Sequence, residues 1–430
     1  MRSLPAQLLL FAIILGGFLA IISAFVISVN LLGDPSSQLT VFLILKIVIA
    51  LFALLTMVTI FGISLVWLER KELGHLQGRV GPTRVGPLGL LQVVADGIKL
   101  VTKEDVAPDK SSKILFNVAP LLVFVPSFVV WITIPLSPGL VVRSLDLGLF
   151  FFIAISVLSI VGLVLAGWSS NSKYAILGGF RSAAQLVSYE IPIIMAVIVV
   201  VMMTDSMNFL AVVDAQAKVP YIVIQPLAFL VFLIAGLAEV GRTPFDIYFA
   251  ESEVVGGPFV EYSGAHWAIF FLAEYVNTFV IAALGALLFL GGWNWPFSDL
   301  PMILALLVFV AKTYFLASII FWIRATYPRL RIDQLMSFGW KVLIPLAFAS
   351  IFATAVQIFY GWPVWTLTVM SLVLIAIPAI IQIRFQRKGT LAIARRYAER
   401  AVQVNAVQRI KEPSNDSYCK RPSNYFGLVI

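Results

Sequence analysis

The chain has 430 residues, 60% of them hydrophobic and 12% charged, with 30 basic against 22 acidic side chains and a formal charge of +8. Soluble domains carry about a quarter of their residues as charge, so this composition excludes a soluble globular protein and indicates a polytopic membrane protein. The single cysteine, Cys419, excludes an internal disulfide framework, a cysteine-ligated zinc site and an iron–sulfur cluster, and two histidines, His75 and His266, argue against a haem held between buried helices.

An apolar run of about 20 residues crosses a bilayer as a helix, and the runs here have helical rather than barrel length. Ten spans are predicted, at roughly 6–30, 40–68, 114–136, 147–167, 184–204, 220–240, 266–292, 301–323, 342–361 and 364–383. Arg2 precedes an uncharged run from Ser3 to Gly33 that is too long for a signal peptide and lacks a small-residue cleavage site. The third span ends at Ser137 to Gly139, and a Gly-Trp-Pro turn at 361–363 joins the last two. The even count puts both termini on one side.

Lysine and arginine in the connections favour the cytoplasm. With the N-terminus inside, the outward connections hold only Arg143 and Lys218, Lys46 and Lys312 lie within spans, and the other 26 of 30 basic residues face the cytoplasm. Both termini are therefore expected in the cytoplasm, with long polar connections there at 69–113, 168–183, 239–265 and 324–341.

The first of these connections carries two Arg-Val-Gly-Pro units, at 79–82 and 84–87, that match no phosphate-binding fingerprint. From Leu88 to Lys103, apolar Leu90, Leu91, Val94, Ile98 and Val101 recur at helical spacing between Gln92, Asp96, Lys99 and Lys103. A helix lying on the membrane surface is predicted. Such a helix beside a loop fixed by Gly-Pro turns either admits a lipid-like ligand or serves only as a support, and Arg70, Arg79, Arg84 and Lys99 are equally suited to lipid phosphate. The tail is basic from Arg387 to Arg400 and then polar.

The third connection has the most unusual charge. Glu239 to Gly264 holds five acids (Glu239, Asp246, Glu251, Glu253 and Glu261) against one base, Arg242, in an otherwise basic chain. A charge run is by default a solvated loop. Here it is interleaved with Phe245, Ile247, Tyr248, Phe249, Val254, Val255, Phe259 and Val260, which suggests partial burial. Clustered, partly buried carboxylates raise one another's pKa and can exchange protons near neutral pH. Ionisable residues within spans mark ion paths or substrate sites when they do not snorkel to an interface. Glu190, Glu239, Glu274, Lys46 and Lys312 are the candidates. No metal site is expected.

The blocks ERKELGHLQGRVGPTRVGPLGLLQVVADGIKLVTKED, GWSSNSKYAILGGFRSAAQLVSYE, AEVGRTPFD, AESE, EYSG, FLAEY, FLGGW and IRATYPRLRIDQLMSFGWK occur in order between Phe42 and Ala355. They closely resemble the quinone-chamber subunit of respiratory complex I, the H subunit of bacterial NADH:quinone oxidoreductase and the first NADH dehydrogenase subunit of mitochondria. The resemblance implies an all-α membrane bundle of about ten transmembrane helices with a surface amphipathic helix. It also implies a chain with no redox centre of its own, using quinone as substrate, with FMN and iron–sulfur clusters in partner subunits. The expected partners are the peripheral-arm quinone-module subunits, small and antiporter-like membrane subunits, and lipid, with no nucleic acid. The expected location is the bacterial plasma membrane.

Carried over by residue, the resemblance makes Arg70, Asp96, Gly97 and Lys99 a quinone entrance. It makes Glu190, Glu239, Asp246, Glu251, Glu253 and Glu261 an acidic funnel toward the proton path, to which the residues themselves add Glu274 and Lys312. The chain departs from the family pattern at Ile247, Tyr248 and Phe249, where one funnel carboxylate is missing, and at Gly257, Pro258 and Phe259, Thr83 and Gly241. Residues 40–361 form the expected family core, with an extra N-terminal span in 1–39, a further span at 362–383 and a basic tail at 384–430. Two other readings are the equivalent subunit of a related membrane-bound hydrogenase or other-donor complex, and a free-standing ion transporter. The latter should carry inverted repeats, and no convincing repeat is visible.

Overall fold

A computed structural model describes residues 41–247, 251–297, 300–378 and 380, with side chains from residue 48 onward and without those of 251 and 252. The predicted first span and basic tail therefore lie outside the described residues, as do Tyr248, Phe249 and the side chains of Lys46 and Glu251. The chain divides into two compact units, 1–372 and 373–430, and every candidate site residue belongs to the first.

Among the described residues the only pairing outside helices and turns is one isolated bridge, Ser137 to Leu140. The helices in chain order begin with α1 (Val41–Leu76), the surface helix α2 (Gln92–Thr102), α3 (Lys113–Val129), α4 (Gly148–Ser169) and α5 (Lys173–Thr204). Then come the short α6 (Phe209–Ala215) and α7 (Tyr221–Ile224), α8 (Pro226–Val240) and the one-turn α9 (Glu251–Val254). Last are α10 (Gly264–Phe289), α11 (Met302–Thr326), α12 (Ile332–Phe338), α13 (Ile344–Tyr360) and α14 (Trp365–Pro378). Among the described residues, seven stretches are long and apolar enough to cross a bilayer, so the chain is an all-α polytopic membrane bundle.

Several boundaries differ from the sequence expectation, each for a local reason. Helix α1 runs on through the charged Glu-Arg-Lys-Glu segment to Leu76, because long charged side chains continue a helix readily once its core-facing side is fixed. Helix α5 starts at Lys173, so the expected polar connection at 168–183 shrinks to a turn. The expected span at 220–240 is broken at Gln225, whose φ of −127° and ψ of 65° precede Pro226. The 15 residues of α8 reach about 22 Å, short of the roughly 30 Å hydrocarbon core. A π-helical turn at Gly339–Leu343 joins α12 to α13, extending the expected span at 342–361 back to Ile332.

Helix α10 is the central strut. Every residue from Thr278 to Phe289 is buried, and the helix packs on α1, α2, α3, α8 and α11. With lipid as solvent, close packing rather than water exclusion holds such helices together, and small residues permit it. At Gly162 of α4 a Cβ would stand 2.6 Å from Val123 Cγ2 and 3.0 Å from the backbone of Leu122, so α3 and α4 meet only because the residue is glycine.

Candidate functional site

The extension of α1 carries Glu69 into the bundle, where it is 3% exposed. Helix α8 ends at Gly241, whose left-handed φ of 69° turns the chain so that Arg242 comes back beneath the helix end, 4% exposed. Arg242 Nε lies 3.1 Å from Glu274 Oε1 and its Nη1 lies 3.5 Å from Glu69 Oε2. The guanidinium also stands 4.3 Å over the ring of Tyr275. Glu69 in turn accepts a hydrogen bond from Arg324 at the end of α11. The result is a line of alternating charge, Arg324, Glu69, Arg242, Glu274, drawn from α11, α1, the turn after α8, and α10. Two cations and two anions sum to zero, the condition under which charge is tolerated in a bundle interior.

Glu274 also faces a cavity of about 70 Å³ enclosed by α3, α4, α5, α8 and α10. Glu190, Glu239, Asn277, Ser156 and Ser159 line the same space. Ser156 is within hydrogen-bonding reach of Glu190, and Glu239 is close enough to Glu190 to feel its charge. The cavity wall is mostly apolar, with the carboxylates, serines and Asn277 as the polar groups available to any water there. Three carboxylates, Glu190, Glu239 and Glu274, thus share one cavity.

The other acids of the 239–264 stretch whose side chains are described go to separate places. Asp246 accepts from Arg329 Nη2 at 2.9 Å. Burial pushes its carboxyl up and the guanidinium groups of Arg329, Arg324 and Arg242 pull it down, with burial prevailing. Glu253 pairs with Arg181 at 2.7 Å, partly exposed, and Glu261 is half-buried in the turn before α10. The stretch is pulled apart at its two glycine contacts. Gly241 sends Arg242 inward, while a Cβ on Gly178 of α5 would sit 2.4 Å from Gly257 Cα, so the later half lies flat on α5. The cluster that forms is therefore not internal to the stretch: Glu239 joins Glu190 and Glu274 from other helices.

Between α1, α2 and α10 lies a groove of about 710 Å³, a volume suited to a small organic ligand. Its walls are Ile63 and Val66 of α1, Val93, Ile98 and Val101 of α2, and Trp267, Phe271 and Leu272 of α10. Arg70, Asp96, Gly97 and Lys99 all line it. Arg70 Nη1 donates to Asp96 Oδ2 at 2.5 Å and Gln92 Nε2 to Oδ1 at 3.1 Å. Burial alone would push the Asp96 carboxyl up, but these two hydrogen bonds and the neighbouring charges of Arg70 and Lys99 hold it below its ordinary value. The segment after α2 is fastened to α10 by a hydrogen bond between Asp105 and His266 and by Val106 N donating to Ser263 Oγ at 3.0 Å.

Lys312 lies apart from the cavity and the groove. Its ammonium donates to the carbonyls of Leu290 and Gly292 at 2.6 Å each and of Trp295 at 2.5 Å, closing the end of α10. The functional residues that sequence reasoning missed are Glu69, Arg242 as a partner rather than a lone base, and Arg324. Glu69 follows an uncharged run and reads as membrane exit, and nothing in local sequence pairs it with Arg324, 255 positions away.

The fold and this arrangement define a class: an all-α integral membrane protein with a buried charge line, a carboxylate cavity and a ligand-sized groove on two shared helices. The NADH dehydrogenase family model matches residues 45–355, and the chain belongs to that family, the one that includes the H-type membrane component of complex I. It is 48% identical to the H component of the NADH-quinone oxidoreductase of Brevibacillus brevis over 313 residues, 73% of this chain and 93% of that relative. It is also 48% identical to the corresponding components of Bacillus cereus (strain B4264) and Bacillus thuringiensis (strain Al Hakam) over 328 residues, 76% of this chain and 97% of theirs.

Proposed function

We propose that this chain, a membrane subunit of NADH:quinone oxidoreductase by family, admits quinone through the groove at Arg70, Asp96, Gly97 and Lys99. It then couples quinone reduction to proton movement through Glu69, Arg242 and Glu274 and the cavity of Glu190 and Glu239. The observation that carries this reading is that groove and charge line share the same two helices, on neighbouring faces. On α1, Val66 and Arg70 line the groove while Glu69 joins the charge line. On α10, Phe271 lines the groove while Glu274, three residues on, faces the cavity.

The chemistry follows from charge. Quinone becomes quinol by taking two electrons and two protons, and its two carbonyl oxygens become basic as electrons arrive. Arg70 and Lys99 supply cationic donors at the groove, and the apolar wall suits an isoprenoid tail. Family membership implies that the chain itself binds no cofactor, so electrons come from NADH through partner subunits carrying FMN and iron–sulfur clusters. Negative charge developing in the groove shifts the balance of Arg242 between Glu69 and Glu274, and protons redistribute among Glu274, Glu239 and Glu190. Buried ionisable residues of antiporter-like neighbours then receive the change. Asp246, Glu251, Glu253 and Glu261 belong to the entry side of that path. Lys312 belongs to it through an amine held on three backbone carbonyls. The basic connections support a reading in which this machinery faces the cytoplasm of a bacterial plasma membrane, with both termini on that side.

A photoreactive quinone analogue applied to the purified complex tests the reading. Labelling should fall within peptides of α2 and the first half of α10 and should be competed away by excess quinone. Labelling elsewhere, or labelling without competition, would overturn the groove assignment.

A further inference from the structure

Gln185 of α5 is 1% exposed and lines neither the cavity nor the groove. Its Nε2 donates to two backbone carbonyls, Ala238 O at 2.7 Å and Phe245 O at 2.6 Å. Ala238 is in the last turn of α8, and Phe245 lies beyond the Gly241 turn, where its own N–H returns to Arg242 O at 2.9 Å. One amide group thus fastens both ends of the turn that presents Arg242 and Asp246.

The side chain has no freedom to do this in reverse. Turning the amide over would set Oε1 against two carbonyl oxygens at the same short distances, a repulsive arrangement. In the orientation present, Oε1 is buried without a hydrogen-bond partner. A buried, unsatisfied acceptor is unfavourable, so the two donated bonds outweigh it. No other residue type of this size offers two protons on one neutral atom. Glutamate would repel both carbonyls, leucine would leave Ala238 O and Phe245 O joined only to the nearby backbone N–H groups of Gly241 and Ile247, at 3.2 and 3.1 Å, and asparagine would stop one methylene short. The far side of the same turn is held by Arg329 on Asp246, by Leu330 N donating to Pro244 O at 3.0 Å, and by Phe338 stacked on Phe245.

We propose that Gln185 is a positioning residue: its amide staples Ala238 to Phe245 and so sets where Arg242 stands between Glu69 and Glu274. This rests on the coupling role proposed above for Arg242, and the staple itself can be read without that role. In the assembled complex, Gln185→Leu should speed hydrogen exchange of the 241–247 backbone by about tenfold. It should also lower kcat for quinone reduction by about tenfold while leaving KM for quinone unchanged, since the groove is intact. Combined with Arg242→Lys it should lower kcat less than twofold beyond the stronger single variant. Where Gln185→Leu does not assemble, Gln185→Asn, which withdraws the amide by one methylene, should give the same exchange and kcat changes in weaker form. Unchanged exchange at 241–247, or wild-type kcat per assembled complex, would overturn the proposal. A wild-type Arg242→Lys with faster exchange in Gln185→Leu would keep the staple and reject the coupling role instead.

Discussion

Glu69 and Arg70 are adjacent on α1 and make opposite kinds of ion pair. Arg70 and Asp96 sit at the rim of the groove with side chains 38% and 33% exposed, while Glu69 and Arg242 are each 4% exposed. An exposed pair contributes about 0–1 kcal/mol, because water and side-chain entropy offset the attraction. Removing one member of a buried pair costs roughly 3–5 kcal/mol, because the other is left as uncompensated charge. The groove is thus a region whose chemistry can vary while the fold stays, and the charge line is a region where fold and function depend on the same side chains.

That contrast is sharpest at Arg242. Arg242→Met should cost about 3–5 kcal/mol and greatly reduce assembled complex in the membrane, measured by quantitative immunoblot and thermal unfolding in detergent. Arg242→Lys should assemble far better, since it keeps the charge and loses only the fork geometry. Within the cavity, Glu190→Gln and Glu239→Gln keep volume and remove one titrating group. Each should assemble normally yet lower proton translocation by roughly tenfold or more, read as acidification of inverted vesicles driven by NADH. At the groove, Asp96→Asn should change stability by less than about 1 kcal/mol while raising KM for quinone, a change steady-state kinetics would resolve. If Asp96→Asn proved as damaging to assembly as Arg242→Met, the contrast between the regions would be wrong.

The smallest expected effects are in pH dependence, and the two regions have opposite sign. Asp96 is held below its ordinary pKa of 3.8, so its contribution to stability is present above that pH and lost as pH falls further. Asp246 is raised above 3.8, so the folded protein binds its proton more tightly than the unfolded chain, and stability declines as pH rises through the raised value. In unfolding midpoints followed against pH, Asp96→Asn should flatten the acid side and Asp246→Asn the decline above it.

Much of this was legible in sequence. The apolar runs of α1, α3, α4, α10 and α11 announce themselves by length, and the spacing of Val94, Ile98 and Val101 marks the surface helix α2. Arg70, Asp96, Gly97 and Lys99 were reached through the family resemblance, whereas Trp267, Phe271 and Leu272, which wall the groove from α10, were not. Illegible were contacts made across the bundle: Glu69 with Arg324, Arg242 with Glu274, and Gln185 with two carbonyls have no local signature. The break at Gln225 was hidden because Pro226 is as compatible with a helix start as with the interior of a tilted span. The acidic stretch misled in one respect: its five acids suggested mutual clustering, whereas Glu239, Asp246 and Glu253 go to the cavity, to Arg329 and to Arg181.

Glu274 is where the buried charge line and the cavity meet, since it pairs with Arg242 and lines the cavity. The most direct measurement is therefore quinone reduction and vesicle acidification by complex carrying Glu274→Gln, normalised to assembled complex. Turnover and acidification should fall together by about tenfold or more, with KM for quinone unchanged. Wild-type turnover and wild-type acidification in that variant would contradict the coupling of quinone chemistry to the buried charge line.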